Sequence, residues 1–494
     1  MLLLGIDIGT SSIKVAIIDA QTQQTVCNVQ YPETETTILS INKGWAEQNP
    51  MDWWNHTKLA ILKANATHLY DSKDIAAIGI AYQMHGLVCV DKEGNSLRNS
   101  IIWCDSRAVT YGDKAFDTIG HEKCLSHLLN SPGNFTASKL AWVKEFEPDL
   151  FEKIAKIMLP GDFIAKQLTG EITTSISALS EGVFWDFTKQ QLSDEIFEYY
   201  GFSKNIIPKI QDPFSDHGQL QEFVANELSL KIGIPVTYKA GDQPNNALSL
   251  NVLEPGEVAA TAGTSGVIYG VSDLLRYDQK SRVNSFAHVN HTNQQNRIGI
   301  LLCINGTGIL NSWIRKIAGE NLSYQQMNDS AKTVALGSDG LMMLPFGNGA
   351  ERMFENKSVD AHIQNINLNQ HSKGHFFRAA QEGIAFAFRY GFDILRENGV
   401  SPGIIRAGKA NLFLSEVFTQ AFVDVTNTVV ELYETDGSVG AAIGAGIGIG
   451  VYQSTREAFQ FKKPLKFVQP KNPHIYEELY QNWKSCLLTQ LNCK

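Results

Sequence analysis

Apolar stretches alternate with glycine-rich turns, and the alternation divides the chain into two similar halves. The first half opens with apolar runs at residues 2–7 and 13–19, and an equivalent pair at 257–262 and 266–271 opens the second. Each pair flanks a short turn of glycine with serine or threonine, which predicts an antiparallel strand–turn–strand unit. This recurrence predicts two lobes of similar construction with a cleft between them.

The remaining apolar segments predict a mixture of strands and helices. Short buried runs predict strands at 25–31, 76–81, 87–91, 101–103, 235–238, 297–304, 341–345, 404–407 and 429–432. Longer runs predict helices from Met51 onward and at 138–146, 148–157, 161–169, 308–318, 375–398 and 440–451. The region 175–200 is predicted to be helical or irregular. Together these elements predict an α/β fold.

A chain of 494 residues is too long for one hydrophobic core, so two or more domains are expected. The turn-rich stretch 251–256 predicts a boundary between a lobe at 1–250 and a lobe at 251–494. About the last 30 residues are predicted to form an appended helix.

Composition and charge narrow the class of partner. The net charge of -9 and the lack of a Lys/Arg-rich run argue against nucleic acid, whose binding needs a basic surface. The composition, 43% hydrophobic and 19% charged, is typical of a soluble globular protein. The most apolar stretch, 439–451, is glycine-rich and shorter than the ~20 residues of a membrane span. The N-terminus runs directly into a predicted strand, so no signal peptide is expected.

The seven cysteines are scattered, odd in number and without a Cys-x-x-Cys pair. This distribution fits neither a disulfide framework nor a zinc site. It predicts reduced thiols in a cytoplasmic protein.

The two glycine turns carry the first candidate chemistry, because main-chain N–H groups and small hydroxyls suit a phosphate. Asp7 lies beside the first turn and would repel a phosphate unless a cation lay between them. A Mg²⁺-nucleotide is therefore predicted, with the magnesium held through one carboxylate and several waters. The alternative is an ordinary hairpin whose Asp and Gly serve only the turn.

Asp242 is the best candidate for a general base. It follows a predicted strand and begins a Gly-Asp-Gln-Pro-Asn-Asn turn close to the predicted lobe boundary. A carboxylate in a partly dry cleft can accept the proton of a hydroxyl that attacks a phosphoryl group. The alternative is a helix N-cap, a common role of aspartate near proline.

Two further strand ends carry polar groups beside apolar ones. His85 follows Met84 at the end of a buried strand, and Trp103 stands near Asp105 and Arg107. An aromatic face with hydrogen-bonding groups suits a polyol. A structural histidine and a surface salt bridge are the respective alternatives.

These pieces, in this order and at these spacings, resemble the FGGY carbohydrate kinases, within the actin/hexokinase/Hsp70-like fold. The resemblance spans nearly the whole chain and rests on residues 5–11, 82–86, 102–107, 135–143, 240–242, 263–266, 378–384 and 437–442. The Gln83-Met84-His85-Gly86 stretch is similar to that of members acting on D-xylulose, more than to members acting on glycerol, gluconate or ribulose.

The resemblance implies a role for each candidate residue. Asp242 would be the base for the C5 hydroxyl of D-xylulose, and Asp7 would help to position Mg²⁺-ATP. The implied sugar contacts in the first lobe are Met84, His85, Trp103, Asp105 and Gln243. The implied nucleotide contacts are Thr10, Ser11, Lys14, Gly263 and Thr264 for the phosphates, and Gly408, Lys409 and Asn411 on the adenine side. Lobe closure would exclude water. The family often forms dimers, so a homodimer is compatible with the resemblance.

The chain departs from the family pattern at three places. Residues 406–411 keep one glycine of a Gly-Gly-Gly-Ala-Arg-Ser type loop, residues 350–354 replace a Gly-Glu-Arg-Thr-Pro run, and Gln243 replaces an asparagine of many members. These departures leave open a kinase for ribulose, glycerol or gluconate, and also a kinase-like protein that binds without turnover. The intact Asp7 and Asp242 argue against the latter. No Gly-x-Gly-x-x-Gly follows the first strand, which argues against a dinucleotide-dependent dehydrogenase.

Overall fold

The computed structural model describes residues 1–318 and 322–492, so Cys493 lies outside the described residues. Strands of the first half are β1 (Leu2–Ile8), β2 (Ile13–Asp19), β3 (Thr25–Tyr31), β4 (Glu47–Gln48), β5 (Ile75–Tyr82), β6 (Val88–Val90), β7 (Ser100–Ile101), β8 (Lys156–Met158), β9 (Thr173–Thr174), β10 (Trp185–Asp186), β11 (Gln191–Leu192), β12 (Lys209–Ile210) and β13 (Val236–Gly241). Those of the second half are β14 (Val258–Ala262), β15 (Gly266–Ser272), β16 (Asn284–Ala287), β17 (Ile298–Ile304), β18 (Met342–Phe346), β19 (Asp360–Gln364), β20 (Ile404–Gly408), β21 (Val429–Tyr433) and β22 (Lys466–Val468).

The helices of the first half are α1 (Pro50–Asn65), α2 (Val109–Ile119), α3 (His121–Leu128), α4 (Thr136–Phe146), α5 (Pro148–Phe151), α6 (Pro160–Thr169), α7 (Ile176–Glu181), α8 (Asp194–Tyr200), α9 (Glu222–Glu227) and α10 (Asp242–Ser249). Those of the second half are α11 (Thr307–Ala318), α12 (Tyr324–Lys332), α13 (Lys373–Glu397), α14 (Glu416–Thr426), α15 (Gly437–Gly448) and α16 (Pro473–Asn492). Short 3₁₀ turns lie at Ser72–Asp74, Lys204–Ile206, Ser338–Gly340, Glu351–Phe354, Asn411–Leu414 and Glu457–Phe459. Among the described residues, no helix is both long enough and apolar enough to cross a membrane.

The same five-stranded plan is repeated in the two halves. The first sheet has the order β3-β2-β1-β5-β13, and the second contains the order β17-β15-β14-β20-β21, extended at its edges by β16 and β22. In both sheets, the first three strands in this order pair antiparallel. The fourth strand pairs parallel to the third, and the fifth pairs parallel to the fourth. The repeated plan confirms the predicted α/β class and the two similarly built lobes.

One predicted element is largely wrong. A helix was expected over 148–157, but α5 ends at Phe151 and residues Lys156–Met158 form strand β8. β8 pairs antiparallel with β6, so that Met158 lies opposite Val88. Ile157 and Met158 are buried there, because the sheet partner supplies a burial that local sequence does not reveal.

The two lobes are joined by α15, which follows β21 of the second sheet but packs on the first. A β-carbon at Gly5 of β1 would collide with the carbonyl oxygen of Ser438, and one at Gly79 of β5 would collide with that of Ala441. Glycine at both positions lets the helix backbone approach the sheet closely. A β-carbon at Gly440 would lie 2.8 Å from Cβ of Ser249, so α15 also touches α10.

A second contact between the lobes lies at the edge strand β16. Ser177 Oγ on α7 donates to the carbonyl of Ala287 at 2.8 Å, and the Ala287 N–H donates to Ser180 Oγ at 2.9 Å. The Ser285 N–H donates to Asn130 Oδ1 at 2.9 Å. These buried hydrogen bonds fix the edge of the second sheet against the first lobe.

Candidate active site

Asp7 lies near the end of β1, where the first strand approaches the start of α15. It pairs in register with Lys14 on β2. A β-carbon at Gly437 would collide with Asp7 Oδ2, so the carboxylate faces the N-terminus of α15, which favours negative charge. Burial raises the pKa of Asp7 to about 6, against the opposing effect of the Lys14 charge. Asp7 is therefore a carboxylate whose ionised form is costly without a cation.

Asp242 is the first residue of α10, directly after β13. β13 and β1 lie on either side of β5 and both run parallel to it, with Gly241 and Ile8 each paired to Tyr82. The carboxyl ends of these strands therefore share one edge, and β1 and β13 are about 10 Å apart. The structure brings Asp7 and Asp242 together at this edge, with both side chains partly open to solvent.

The negative charge of Asp7 opposes ionisation of Asp242. Burial raises the pKa of Asp242 to about 7, and the neighbouring Asp7 charge adds to the effect. The N-cap position of α10 belongs to Gly241, and the nearby polar groups of Gln243 partly oppose the rise in the pKa of Asp242. A carboxyl group with a pKa near neutrality is suited to accept and release a proton.

His85 lies in the left-handed backbone region, with φ of 60°, immediately after Met84. Its Nδ1 lies 3.0 Å from the carbonyl oxygen of Glu181, and its ring packs against Phe135 with centroids 4.7 Å apart. Burial lowers the pKa of His85 to about 3, so the ring is neutral. Because a carbonyl only accepts, Nδ1 carries the proton and Nε2 is left as an acceptor for a hydroxyl.

A buried lysine that sequence reasoning missed holds together the loops that carry His85 and Ile102. Lys139 Nζ on α4 donates to the carbonyl of His85 at 2.7 Å and to that of Ile102 at 3.1 Å. Burial lowers the pKa of Lys139 to about 7. Its sequence signal is its place in the Phe135-Thr136-Ala137-Ser138-Lys139 motif, which by itself gives the lysine no role.

Asp105 is fully buried and engaged by the protein itself. Its carboxylate accepts from the Ala46 N–H at 2.6 Å and from the Arg107 guanidinium at 2.7 Å. The guanidinium carbon lies 3.8 Å from the ring centroid of Trp45. These contacts anchor the loop that carries the half-exposed Trp103, while a direct sugar contact of Asp105 stays a prediction.

Thr10 of the first turn makes hydrogen bonds to Trp103 and Gln83. Trp103 Nε1 donates to Thr10 Oγ1 at 3.0 Å, and Thr10 Oγ1 donates to Gln83 Oε1 at 3.3 Å. Ser11 is exposed, and Lys14 Nζ lies 4.0 Å from Asp436 Oδ2. The phosphate role predicted for these three residues stays a prediction.

Asp436 is a residue that the sequence did not single out. It is the N-cap of α15, where its Oδ1 accepts from the Ser438 N–H at 2.8 Å. Its charge raises the pKa of Asp7, although burial is the larger cause. Its only sequence signal was its place before the Gly437-Ser438-Val439-Gly440 motif.

The second turn lies at the start of α11. The Gly308 N–H donates to the carbonyl of Gly263 at 2.9 Å, and Thr307 Oγ1 donates to the same oxygen at 3.0 Å. A β-carbon at Gly263 would lie 3.5 Å from Nδ2 of Asn411. The structure thus brings Gly263 and Thr264 together with Asn411.

The loop that carries Asn411 is fixed by main-chain bonds. The Lys409 N–H donates to the carbonyl of Tyr433 at 2.7 Å, and a β-carbon at Gly408 would collide with Thr435. The one glycine kept from the family's loop pattern therefore stands where a side chain has no room. Lys409 and Asn411 are both exposed.

Comparison with family models identifies the class of protein to which this two-lobed fold belongs. The model of the N-terminal domain of the FGGY family of carbohydrate kinases matches residues 2–249, and that of the C-terminal domain matches 258–449. The chain therefore belongs to the FGGY family of carbohydrate kinases.

Individual relatives cover nearly the whole chain. The chain is 29% identical to the xylulose kinase of Bacillus subtilis (strain 168), over 98% of this chain and 96% of that protein. It is 27% identical to the xylulose kinase of Escherichia coli (strain K12), over 90% and 88%. The crystal structure of xylulose kinase from Rhodospirillum rubrum superposes with a TM-score of 0.89 at 24% identity, covering 99% of each chain. Gluconate kinase from Lactobacillus acidophilus gives 0.90 at 21% identity, covering 99% and 98%. Below 25% identity, these structures show the shared fold.

Proposed function

We propose that this kinase transfers the terminal phosphoryl group of ATP to the C5 hydroxyl of D-xylulose, giving D-xylulose 5-phosphate and ADP. The observation that carries the proposal is Asp242 at the strand edge shared with Asp7, a carboxyl whose pKa is raised to about 7. The names of the full-length relatives support xylulose as the acceptor.

In the proposed reaction, the hydroxyl oxygen forms a bond to the γ-phosphorus as the bond from that phosphorus to the β,γ-bridging oxygen breaks. Asp242 accepts the hydroxyl proton, which makes the oxygen a better nucleophile. His85 Nε2 accepts a hydrogen bond from another sugar hydroxyl, and the Trp103 ring gives the carbon skeleton an apolar face. Met84, Asp105 and Gln243 are the other proposed sugar contacts.

The proposed nucleotide site spans the cleft. Thr10, Ser11 and Lys14 would face the phosphates from the first lobe, and Gly263 and Thr264 from the second. Gly408, Lys409 and Asn411 would line the adenine side. Mg²⁺ would supply charge neutralisation at the transferring phosphoryl group.

The donor set fits such a magnesium ion. Asp7 and Asp242 are close enough for one charge to oppose ionisation of the other. A divalent cation would relieve this opposition, and magnesium commonly uses one or two carboxylates with several waters. Asp7 is the proposed contact, through water.

We retain 250/251 as the proposed domain boundary and a cytoplasmic location as the proposed setting. A homodimer is also retained as a proposal.

A coupled assay of ADP release tests the function. The purified chain is given D-xylulose, D-ribulose, L-ribulose, glycerol or gluconate with Mg²⁺-ATP. The highest kcat/KM is expected with D-xylulose. A higher kcat/KM with another acceptor would identify that acceptor as the substrate in place of D-xylulose. Sugar binding without turnover of any acceptor would indicate a binding protein and not an enzyme.

A further inference from the structure

Three polar side chains from separate segments form a closed hydrogen-bond circuit beneath the sugar side. Thr10 Oγ1 donates to Gln83 Oε1 at 3.3 Å, and Gln83 Nε2 donates to Gln48 Oε1 at 3.1 Å. Gln48 Nε2 then donates back to the main-chain carbonyl of Thr10 at 2.8 Å. We call Thr10, Gln48 and Gln83 the Thr10 ring. The ring begins at the side-chain hydroxyl of Thr10 and ends at the main-chain carbonyl of the same residue, so it holds the first phosphate turn at two points.

Trp103 makes a hydrogen bond to this ring from outside and determines which of its groups donate and which accept. Its indole N–H can only donate, and it donates to Thr10 Oγ1 at 3.0 Å. The Thr10 hydroxyl must therefore give its own proton to Gln83. At the far side, Trp53 Nε1 donates to Gln48 Oε1 at 3.0 Å, which identifies that amide oxygen as an acceptor. Each N–H or O–H group in the ring therefore donates to an oxygen that is free to accept, so no two donors face each other.

The ring is buried and its entry point is accessible. Gln48 and Gln83 are 1% and 3% exposed, so leaving either amide without partners would be unfavourable. Trp103 is 49% exposed and can move without disturbing a packed core. A change at the indole therefore reaches Thr10 directly, whereas Gln48 and Gln83 resist rearrangement.

The two ends of the circuit lie at the two proposed substrate sites. Trp103 stands on the loop after β7 that Lys139 ties to His85. Thr10 lies in the turn between β1 and β2, three residues after Asp7. One hydrogen bond, from the indole to the threonine hydroxyl, thus connects the sugar face to the phosphate turn.

We propose that the Trp103–Thr10 hydrogen bond and the Thr10 ring couple sugar occupancy to the geometry of the first phosphate turn. Sugar and nucleotide then bind cooperatively, and the phosphates are aligned when an acceptor rests on Trp103. Gln48 and Gln83 act as positioning residues. The inference rests on the proposed function, because it takes the ligands to be a sugar and a Mg²⁺-nucleotide.

The coupling is measured by calorimetry on the full chain. The Kd of a Mg²⁺-bound, non-hydrolysable ATP analogue is determined without sugar and with saturating D-xylulose. The coupling factor is the Kd without sugar divided by the Kd with sugar. A ratio of about 5 to 150 is expected for the unmodified chain. Losing the one hydrogen bond between Trp103 and Thr10 in Trp103→Phe should lower the ratio by about 2- to 12-fold. Thr10→Val also removes the bond from Thr10 to Gln83, so its loss should be at least as large.

Matched variants separate coupling from a merely structural effect. The double variant Trp103→Phe/Thr10→Val should show no larger loss than Thr10→Val alone, because that single variant already lacks the hydrogen bond to Trp103. Thr10→Ser keeps the hydroxyl and should restore the ratio. Ser106→Ala removes a hydrogen bond to Gly44 from the same loop but outside the ring, and should leave the ratio unchanged.

A ratio near one in the unmodified chain, or an unaltered ratio in Trp103→Phe, would overturn the inference. Should Thr10→Val fail to fold, the half-exposed Trp103 still decides the matter. The proposed function fails separately, when the unmodified chain does not phosphorylate D-xylulose. In that case the ratio is measured with the acceptor that is turned over.

Discussion

The two glycine turns share a backbone plan but differ in what surrounds them. Aligning Gly9-Thr10-Ser11 with Gly263-Thr264-Ser265 places Asp7 at the position of Thr261. The hydroxyl of Thr10 is held by Trp103 and Gln83. Thr264 is exposed at the surface, and its turn is fixed from behind by the start of α11.

This difference shows that the fold determines where each turn lies, whereas the surrounding residues determine what each turn can do chemically. The repeated fold supplies each lobe with a turn at the same point of its sheet. The first turn adds a carboxylate and a hydrogen bond to Trp103, on the proposed sugar side. The second adds an exposed threonine beside Asn411. We therefore expect variants around the first turn to change turnover, and variants around the second to change nucleotide affinity.

The largest expected effect is that of Asp242→Asn, which removes the proposed proton acceptor on the side of the first turn. Turnover should fall by ~10²–10⁴, while D-xylulose binding persists, because the amide keeps the shape but not the basicity. Coupled ADP release and calorimetry measure the two quantities. Unchanged turnover would remove Asp242 from the mechanism.

Asp7→Asn should lower turnover by about 10²-fold and weaken the dependence on Mg²⁺, because the carboxylate proposed to hold the cation through water is lost. Magnesium titrations of initial rate measure this effect. Thr261→Val, at the matched position of the second lobe, is the control and should keep turnover within about threefold. Equal losses in both variants would contradict the proposed division of roles.

The pH dependence follows from the raised pKa of Asp242. The ionised form accepts the proton, so kcat/KM should fall about tenfold per unit as the pH drops below about 7. Initial rates with D-xylulose between pH 5.5 and 8.5 measure this limb. A flat profile between pH 6 and 8 would show that Asp242 is already ionised at the lower end, or not required.

A smaller effect is expected in the second turn. Thr264→Ala removes an exposed hydroxyl proposed to contact a phosphate, so the KM for ATP should rise about three- to tenfold with kcat nearly unchanged. Steady-state kinetics with varied ATP separate the two constants. A fall in kcat without a change in KM would give this turn a role in chemistry as well.

The smallest effect concerns stability. The pKa of Asp242 is raised in the folded chain, so its contribution to stability is full below the pKa of an unfolded aspartate and is lost as the pH rises through about 7. Asp242→Asn should therefore raise Tm at pH 8 by about 2 °C, and by about half as much or less at pH 5. Thermal melts in chelator test this, and a lower Tm of the variant at pH 8 would contradict it.

Sequence reasoning succeeded where apolar runs and turns are local. It predicted β1, β2, β14 and β15 to within a residue or two, because alternating burial and glycine turns specify such pairs directly. The family resemblance, confirmed by the domain models, rested on motifs spread over both halves.

Long-range partners were what the sequence did not reveal. The burial of Lys139 depends on two carbonyls that meet only in the folded lobe. Gln48 carried no motif, because its partners in the Thr10 ring, Gln83 and Thr10, are 35 and 38 residues away in the chain. Asp105 was expected to face the sugar, yet its bonds to Arg107 and Ala46 show how a charged residue near a site can be engaged by its own scaffold.

The packing of α15 on the first sheet has a consequence for synthesis. Strands β1, β5 and β13 are complete by Gly241, but the helix that covers them ends at Gly448. A nascent chain therefore presents one uncovered apolar face of this sheet until most of the second lobe has emerged from the ribosome. The first lobe to be translated is thus among the last to be finished.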